Sequence, residues 1–262
     1  MLNSTLRLIS AVLLGGALAA CAPAGSPQQE TAAPATTSAD NTLRETLLVA
    51  SYTTIEENPQ LLALVEELAT TAAAEHCAAC HGSDLSGGEG VPSLVDFDWI
   101  WGVTGYETTA TEPIHQIMQT ILYGIRDRDC PEESKRYGAC PDTRYSEMPA
   151  YRQLGLSETD LQGLTDYVLS LSGQEHDADA AASVASLTGL CVECHGEGAL
   201  GYKPYGGPDL TDDIWIYGGS REAIFTSIAE GRLGSCPPFW DKLDAATIKA
   251  LGVYLYRKSF GY

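Results

Sequence analysis

Residues 77–82 read Cys77-Ala-Ala-Cys80-His81-Gly82, and residues 191–196 repeat the pattern as Cys191-Val-Glu-Cys194-His195-Gly196. The likeness extends downstream, because residues 92–102 and 208–218 both obey P-x-L-x-D-x-x-W-I-x-G without a gap. After this segment, each copy has a predicted helical stretch that ends at glycine. A residue followed by proline comes next, and an amphipathic helix closes the copy. The chain therefore contains an internal repeat of a whole structural unit.

Two thiols three positions apart, followed directly by histidine, suit covalent attachment of a haem. Each thiol can add to one vinyl group, and the histidine can bind the iron. Zinc binding, a thioredoxin-like redox pair and disulfides are the other uses of closely spaced cysteines. Zinc favours one compact unit and thioredoxin chemistry expects a βαβ context, whereas these pairs lie far apart in separate helical surroundings. The pattern thus predicts two covalently bound haem c groups.

The hydrophobic spacing predicts an all-α fold, since no strand-like alternation of useful length occurs. Ser157 with Asp160, and Asp244, are expected to cap the two closing helices. Residues 46–175 and 176–262 are the expected domains. The apolar positions of the closing helices recur at helical spacing: Leu161, Leu164, Val168 and Leu171 in the first, and Ile248, Leu251 and Leu255 in the second.

The amino-terminal residues 1–20 have the features of an export signal. Arg7 precedes an apolar run over residues 8–18, which is too short for the about 20 residues that span a bilayer. Leu18-Ala-Ala-Cys21 resembles the lipobox of bacterial lipoproteins, which implies that Cys21 carries lipid. Ordinary cleavage near Ala19 is the alternative. Residues 21–45 then form a flexible tether, and we expect a periplasmic protein that is lipid-anchored to the inner or outer membrane.

The charge balance excludes nucleic acid as a partner. The 262 residues contain 35 Asp and Glu but only 15 Lys and Arg, a formal net charge of −20, which repels phosphate backbones. A partner steered by charge would present a basic patch. No arrangement of base and nucleophile typical of an enzyme is visible in the sequence, so electron transfer is the favoured activity.

Residues 59–262 resemble the tandem class I c-type cytochromes, and most closely the dihaem subunit of cbb-type haem–copper oxidases. The resemblance implies that the carbonyl of Pro92 holds His81 and that of Pro208 holds His195. It also implies that Trp99, Trp101, Trp215 and Tyr217 line the haem pockets near the propionates, with ordinary core packing as the alternative. The oxidase subunit is held by transmembrane helices, whereas this chain has the lipobox-like signal.

The sixth iron ligand departs from this family in the second copy. The family places methionine before proline, as Met148-Pro149 does in the first copy, but the second copy has Cys236-Pro237. Met118, on a helix face with isoleucines, is expected in the core. We therefore expect the pairs His81/Met148 and His195/Cys236, with electrons running from the second haem to the first. Alternatively Cys236 only packs nearby, leaving that iron open or bound by water, Lys203, Lys242 or His176.

The first copy is longer than the second, mainly because of an insertion over residues 125–147. It contains Cys130 and Cys140, each followed by proline. In an exported protein this pair predicts a disulfide that closes the inserted loop, the alternative being a bond from either cysteine to Cys236.

Three functions are compatible with these features. The leading one is a membrane-tethered dihaem carrier that passes electrons between redox proteins. A tightly bound electron-transfer subunit of a respiratory complex is the second. The third is an enzyme that oxidises small sulfur compounds such as thiosulfate at a His/Cys-ligated haem, which rests on analogy of ligands alone.

Overall fold

The computed structural model describes residues 38–101, 110–126, 144 and 147–261. The expected signal peptide, the lipid acceptor Cys21, and the proposed disulfide between Cys130 and Cys140 lie outside these residues. The described chain is mostly helical. Its helices are α1 Ser38–Val49, α2 Tyr52–Glu57, α3 Pro59–Ala72, α4 Ala78–His81, α5 Thr111–Tyr123, α6 Glu158–Leu171, α7 Ala178–Ser183, α8 Gly189–His195, α9 Arg221–Glu230 and α10 Ala245–Phe260.

One short hairpin interrupts the helical pattern. Strands β1 (Leu200–Tyr202) and β2 (Gly207–Asp209) pair antiparallel, with Leu200 opposite Asp209. Three-residue strands are too short to produce a recognisable alternation, so the all-α expectation missed them. The hairpin follows the second Cys-x-x-Cys-His motif and carries Pro208 toward it.

The closing helices begin at the expected caps. Ser157 accepts a hydrogen bond from the backbone N–H of Asp160, and the Asp160 carboxylate accepts one from the backbone N–H of Ser157. Asp244 caps α10 through the backbone N–H groups of Ala246 and Thr247. Such caps stabilise a helix start by roughly 1 kcal/mol each, and both predicted caps are confirmed.

The first hydrophobic core surrounds the helix that leads into the first motif. It is made by α3, α5 and α10, with Leu61, Ile117 and Leu251 almost fully buried. Helix α1 also joins it through Leu47, and its Arg44 forms an ion pair with Asp244 at 3.2 Å. The expected tether therefore ends earlier than residue 45, because the apolar residues of α1 have a core to pack against.

The second core surrounds the second motif and uses α6, α7 and α9. Leu161 and Leu164 of α6 pack with Val184, which follows α7, and with Ile228 of α9. Gly163 of α6 permits this close packing, since a Cβ there would lie 2.6 Å from a methyl carbon of Val184.

The two cores do not follow the two copies of the sequence repeat. Helix α6 closes the first copy but packs in the second core, and α10 closes the second copy but packs in the first. The expected domains 46–175 and 176–262 therefore do not describe the cores. The copies carry the same apolar pattern, so either closing helix can cover either motif helix, and the pattern alone cannot choose.

Asp166 of α6 connects this helix, which closes the first sequence copy, to residues of the second copy. Its buried carboxylate accepts hydrogen bonds from Arg221 Nη1 at 3.0 Å and Nη2 at 2.6 Å, and from the backbone N–H of Asp177 at 2.7 Å. The Arg221 guanidinium and the backbone N–H hold the pKa of Asp166 below its usual value.

We expect Asp166→Asn to reduce the free energy of unfolding by about 1–3 kcal/mol, because charge-assisted hydrogen bonds are lost in a buried site. Since the folded-state pKa is lowered, the stabilisation is complete above the ordinary Asp pKa of about 3.9 and is lost as the pH falls through the folded pKa. Denaturant titrations across the acid range should show a flatter pH dependence in the variant. Asp241→Asn, at an exposed site, is the control, and equal acid profiles for both variants would refute the assignment.

None of the helices in the described part of the chain is both long and apolar enough to cross a membrane.

Candidate haem sites

The first motif lies where the regular α-helical turns of α3 end. Helix α3 ends at Ala72, a π-helical turn covers Ala73–Cys77, and α4 carries the rest of the motif to His81. A π-helical turn shifts the side chains that follow it and often marks a functional site. His81 Nδ1 lies 2.8 Å from the carbonyl oxygen of Pro92.

The second motif is held in the same way. It lies on α8, and His195 Nδ1 is 2.8 Å from the carbonyl oxygen of Pro208. Burial lowers the pKa of His195, so the neutral imidazole is favoured. Because a carbonyl only accepts, each Nδ1 must carry its proton and donate it, which leaves each Nε2 with a free lone pair for a metal.

The backbone after the second motif requires glycine at two places. Gly196 has φ of +75°, and a Cβ there would lie 2.9 Å from the carbonyl oxygen of Gly201. At Gly207 a Cβ would lie only 1.7 Å from the carbonyl oxygen of Cys194. Strand β2 therefore crosses directly against the motif, which is how Pro208 reaches His195.

The motif cysteines fit thioether formation better than the alternatives. All four thiols, at Cys77, Cys80, Cys191 and Cys194, are free. Burial raises the pKa of Cys77, Cys191 and Cys194, whereas redox-active Cys-x-x-Cys pairs have a lowered pKa. Within the described residues no cluster of three His, Cys, Asp or Glu side chains exists that could hold a zinc ion.

Cys236 lies beside the first motif, not the second. The ring of Phe239, three residues further along, is 5.7 Å from the ring of His76, next to Cys77. The backbone N–H of Phe239 also donates to the carbonyl of Ile121 in α5 at 3.0 Å. Burial, with the nearby Cys77 and Cys80 thiols, raises the pKa of Cys236 to about 11.

Met148 lies beside the second motif. It packs against the second core, and the hydroxyl of Tyr151, three residues further along, donates to the carbonyl of Leu190 at 3.2 Å. Leu190 directly precedes Cys191. The backbone N–H of Tyr151 donates to the carbonyl of Ile228 in α9 at 3.2 Å, as Phe239 does to α5.

The structure therefore places Cys236 beside the first motif and Met148 beside the second, opposite to the expected pairing of Met148 with His81 and Cys236 with His195. Each ligand segment pairs with the end of a helix from the other copy. Ile125 and Cys236 exchange backbone hydrogen bonds of 2.9 and 3.0 Å, and Met148 and Arg232 exchange bonds of 3.1 and 2.9 Å. Because each closing helix packs in the core of the other copy, the residues just before it lie beside the other copy's motif.

With this geometry established, comparison with known proteins identifies the family. A family model described as cytochrome c oxidase, cbb3-type, subunit III matches residues 63–168 and 178–255. The chain belongs to this family. The two matched segments coincide with the two copies of the repeat, so this subunit III member is a dihaem c-type cytochrome with one haem c for each Cys-x-x-Cys-His motif.

Individual relatives agree with the family match. The cbb3-type cytochrome c oxidase subunit FixP of Bradyrhizobium sp. (strain ORS 278) is 38% identical over 213 residues, which cover 80% of this chain and 67% of the relative. The CcoP subunit of Cereibacter sphaeroides is 34% identical over 220 residues, covering 83% and 69% respectively. The chain thus spans about two thirds of the length of these relatives. They give no support to a thiosulfate-oxidising enzyme.

Trp99 and Trp215 of this subunit III member lie in two separate environments. Trp99 packs against the first core, and its Nε1 donates to the carbonyl of Asp96 at 3.1 Å and to Ser259 Oγ at 3.0 Å. Trp215 packs against the second core. Each therefore accompanies the motif of its own copy, in a position compatible with both pocket lining and core packing.

Each W-I-x-G segment of the subunit also contacts the loop that precedes the W-I-x-G segment of the other copy. The backbone N–H of Gly90 donates to the carbonyl of Ile216 at 2.7 Å, and the ring of Trp101 covers Gly206 so closely that a Cβ would lie 2.1 Å from it. We call this contact between residues 90–101 and 203–217 the seam. Burial, with Asp212 and other nearby carboxylates, raises the pKa of Asp98 in the seam to about 6.

Two arginines near the seam were missed by sequence reasoning. Arg144 stacks on Trp101, with 5.2 Å from Cζ to the ring centroid, and Arg232 stacks on Tyr217 at 4.4 Å. A signal was present, because each arginine stands four residues before a sixth-ligand candidate, Met148 or Cys236. It was overlooked because a single arginine carries no recognisable motif.

Proposed function

We propose that this protein relays electrons as the dihaem subunit of a membrane respiratory oxidase complex of the cbb3 type, on the periplasmic side of a bacterial membrane. The observation that carries the proposal is the paired arrangement of His81 and His195, each oriented by a proline carbonyl in a member of the subunit III family. When bound, a haem c supplies reversible one-electron chemistry. Redox proteins are the partners.

The protein residues would bind and orient this group. Cys77 and Cys80, like Cys191 and Cys194, would form the thioether bonds. The carbonyls of Pro92 and Pro208 hold the imidazoles in one tautomer and one orientation. Loss of such an outer-shell partner typically costs a metal site about 10–100-fold in affinity or activity. Trp99 and Trp215 would line the pockets and limit access of water.

We assign Cys236 as the sixth ligand of the iron at His81, and Met148 as the sixth ligand of the iron at His195. The positions of Phe239 against His76 and of Tyr151 against Leu190 support this assignment. Iron binding would hold Cys236 as thiolate although burial alone raises its pKa. A thiolate lowers the potential of haem iron and a thioether raises it. Electrons would then run from the first haem to the second.

Attachment to the membrane is proposed to depend on lipid at Cys21. The segment between Cys21 and α1 is rich in Ala, Pro, Ser and Thr, a composition that gives a flexible tether with a reach of roughly 20–25 Å. The haem-bearing part would remain near the membrane while keeping freedom to dock. Its acidic charge favours a basic docking surface on the partner.

Cys21→Ser is expected to abolish lipid attachment and to move the protein into the soluble fraction when it is expressed without an oxidase. The measurements are mass spectrometry of the mature amino terminus and fractionation of cells. Ser26→Ala, in the same segment, is the matched control. Unchanged mass and unchanged fractionation of the Cys21 variant would show that the segment is not a lipoprotein signal.

The function itself is tested by copurification and kinetics. An affinity-tagged chain should isolate a haem–copper oxidase from native membranes in stoichiometric amount, and both of its haems should be oxidised rapidly when oxygen is admitted to the reduced complex. Isolation of the chain alone, with oxidation only through added soluble carriers, would favour a free carrier. Reduction by thiosulfate of the purified chain with catalytic turnover would contradict the proposal.

A further inference from the structure

Arg144 is a buried cation with no anionic partner among the residues that the structure describes. The residue is 9% exposed. Its Nη1 donates to the carbonyl of Trp101 at 2.9 Å, and its Nη2 donates to the carbonyl of Gln116 at 3.2 Å and to the side-chain oxygens of Gln116 and Gln119. All these acceptors are neutral. Its Nε is buried without a hydrogen-bond partner among the residues that the structure describes.

Such an arrangement is costly unless an anion completes it. Burial of an uncompensated charge costs several kcal/mol in proteins, and burial lowers the pKa of Arg144 to about 10. Buried guanidinium groups normally pair with carboxylate or phosphate. The chain has a large excess of carboxylates, yet within its described part none reaches this guanidinium. A haem bound at the first motif would bring two carboxylates of its own, which are candidates for this role.

The second copy contains an equivalent arginine. Arg232 stands four residues before Cys236 as Arg144 stands four before Met148, and it stacks on Tyr217, the repeat equivalent of Trp101. Its Nε donates to Ser227 Oγ in α9 at 2.9 Å, much as Arg144 is held by α5. The same cation–aromatic pair thus occurs twice, once at each W-I-x-G segment.

Each arginine lies on the side of its own copy's motif. The sixth-ligand candidate four residues later lies beside the motif of the other copy. Arg144 contacts Trp101 and α5, which belong to the first motif's side of the molecule, whereas Met148 packs against the second core. Arg232 contacts Tyr217 and α9 on the second motif's side, whereas Cys236 lies beside the first motif. The chain therefore crosses between the sites immediately after each arginine.

We propose that Arg144 and Arg232 are propionate-binding residues, with Arg144 holding a carboxylate of the haem at His81 and Arg232 one of the haem at His195. The proposal rests on the presence of haem c at both motifs, and names the groups that neutralise its carboxylates. Haem is a planar apolar group with two carboxylates at one edge, so its propionate edge needs cations in an acidic protein. The two arginines that would bind the propionates stack on Trp101 and Tyr217 of the seam.

Arg144→Gln is expected to lower the midpoint potential of the haem at His81, because removal of a positive charge favours the oxidised iron. The haem at His195 should shift less, and Arg232→Gln should show the opposite selectivity. Arg144→Lys, which keeps the charge, should restore most of the potential. Spectroelectrochemical titration measures the potentials, and the propionate-bending modes in resonance Raman spectra report directly on loss of the hydrogen bond.

Arg152→Gln is the matched control, because Arg152 also stacks on an aromatic ring, that of Phe225 at 5.6 Å, but already pairs with Glu158 and Glu230. It should leave both potentials and the Raman modes in place. Potentials and Raman modes of Arg144→Gln equal to those of this control, with both haems attached, would overturn the inference. If Arg144→Gln does not fold, half-buried Arg232 gives the same test. A wild-type chain with fewer than two covalent haems would instead refute the proposed function.

Discussion

Cys236→Met is expected to raise the midpoint potential of the haem at His81 by about 0.1–0.3 V, within the about 0.8 V range over which axial ligands set haem potentials. A thiolate donates charge and stabilises ferric iron, whereas a thioether stabilises the ferrous state. The His195 haem, with Met148 on its side, should keep its potential. The two haems of the variant would then have similar potentials, and the downhill step between them would be lost.

Low-temperature EPR of the oxidised protein checks the ligand directly. The wild type should show a low-spin thiolate signal that is absent from Cys236→Met and Cys236→Ser, while Ser235→Ala, at the adjacent exposed residue, should retain it. A chain that lacks Cys191 and Cys194 and carries only the first haem should also retain the signal. Loss of the signal in that chain, with its haem attached, would assign the thiolate to His195 and contradict the exchanged pairing.

The second large effect is expected from Leu251→Ala in α10. Leu251 is 1% exposed and lies in the first core, so the substitution should lower the free energy of unfolding by about 2–5 kcal/mol. The exchange of helices adds a specific expectation. Although Leu251 belongs to the second sequence copy, its loss should disturb the haem at His81 and leave the haem at His195 intact.

Leu164→Ala is the matched substitution in the other exchanged helix, since Leu164 is 2% exposed in the second core. It should disturb the haem at His195. Denaturant unfolding followed separately through the thiolate–iron and methionine–iron absorption bands distinguishes the two sites. If Leu251→Ala destabilised the methionine-ligated site first, the closing helices would not be exchanged in solution.

Local features of this fold could be predicted because they depend on few neighbouring residues. The two Cys-x-x-Cys-His motifs, the Ser157 and Asp244 caps and the apolar faces of the closing helices each follow from spacing within one element. The proline carbonyls that meet His81 and His195 came from the family resemblance. These observations were sufficient for the fold class and the cofactor.

The packing of each closing helix in the core of the other copy could not be predicted, because the two closing helices have equivalent sequence patterns. Helices α6 and α10 present the same apolar spacing, so the choice between them depends on contacts distant in sequence, such as Asp166 with Arg221 and Gly252 with Met118. The start of α1 was missed for a similar reason. Its sequence is polar except for a few leucines, and it is held by a core formed from residues much later in the chain.

The exchange also determines the order in which the two haem units can be completed during synthesis. Residues 147–231 contain the whole second core, in the order of a circularly permuted cytochrome, with closing helix before motif. The first unit starts earlier but needs Cys236 and α10, which follow the second unit in the chain. Domains generally fold as units from the amino terminus as they emerge. The second unit, which is inserted within the first, can therefore fold before the residues that complete the first unit have been synthesised.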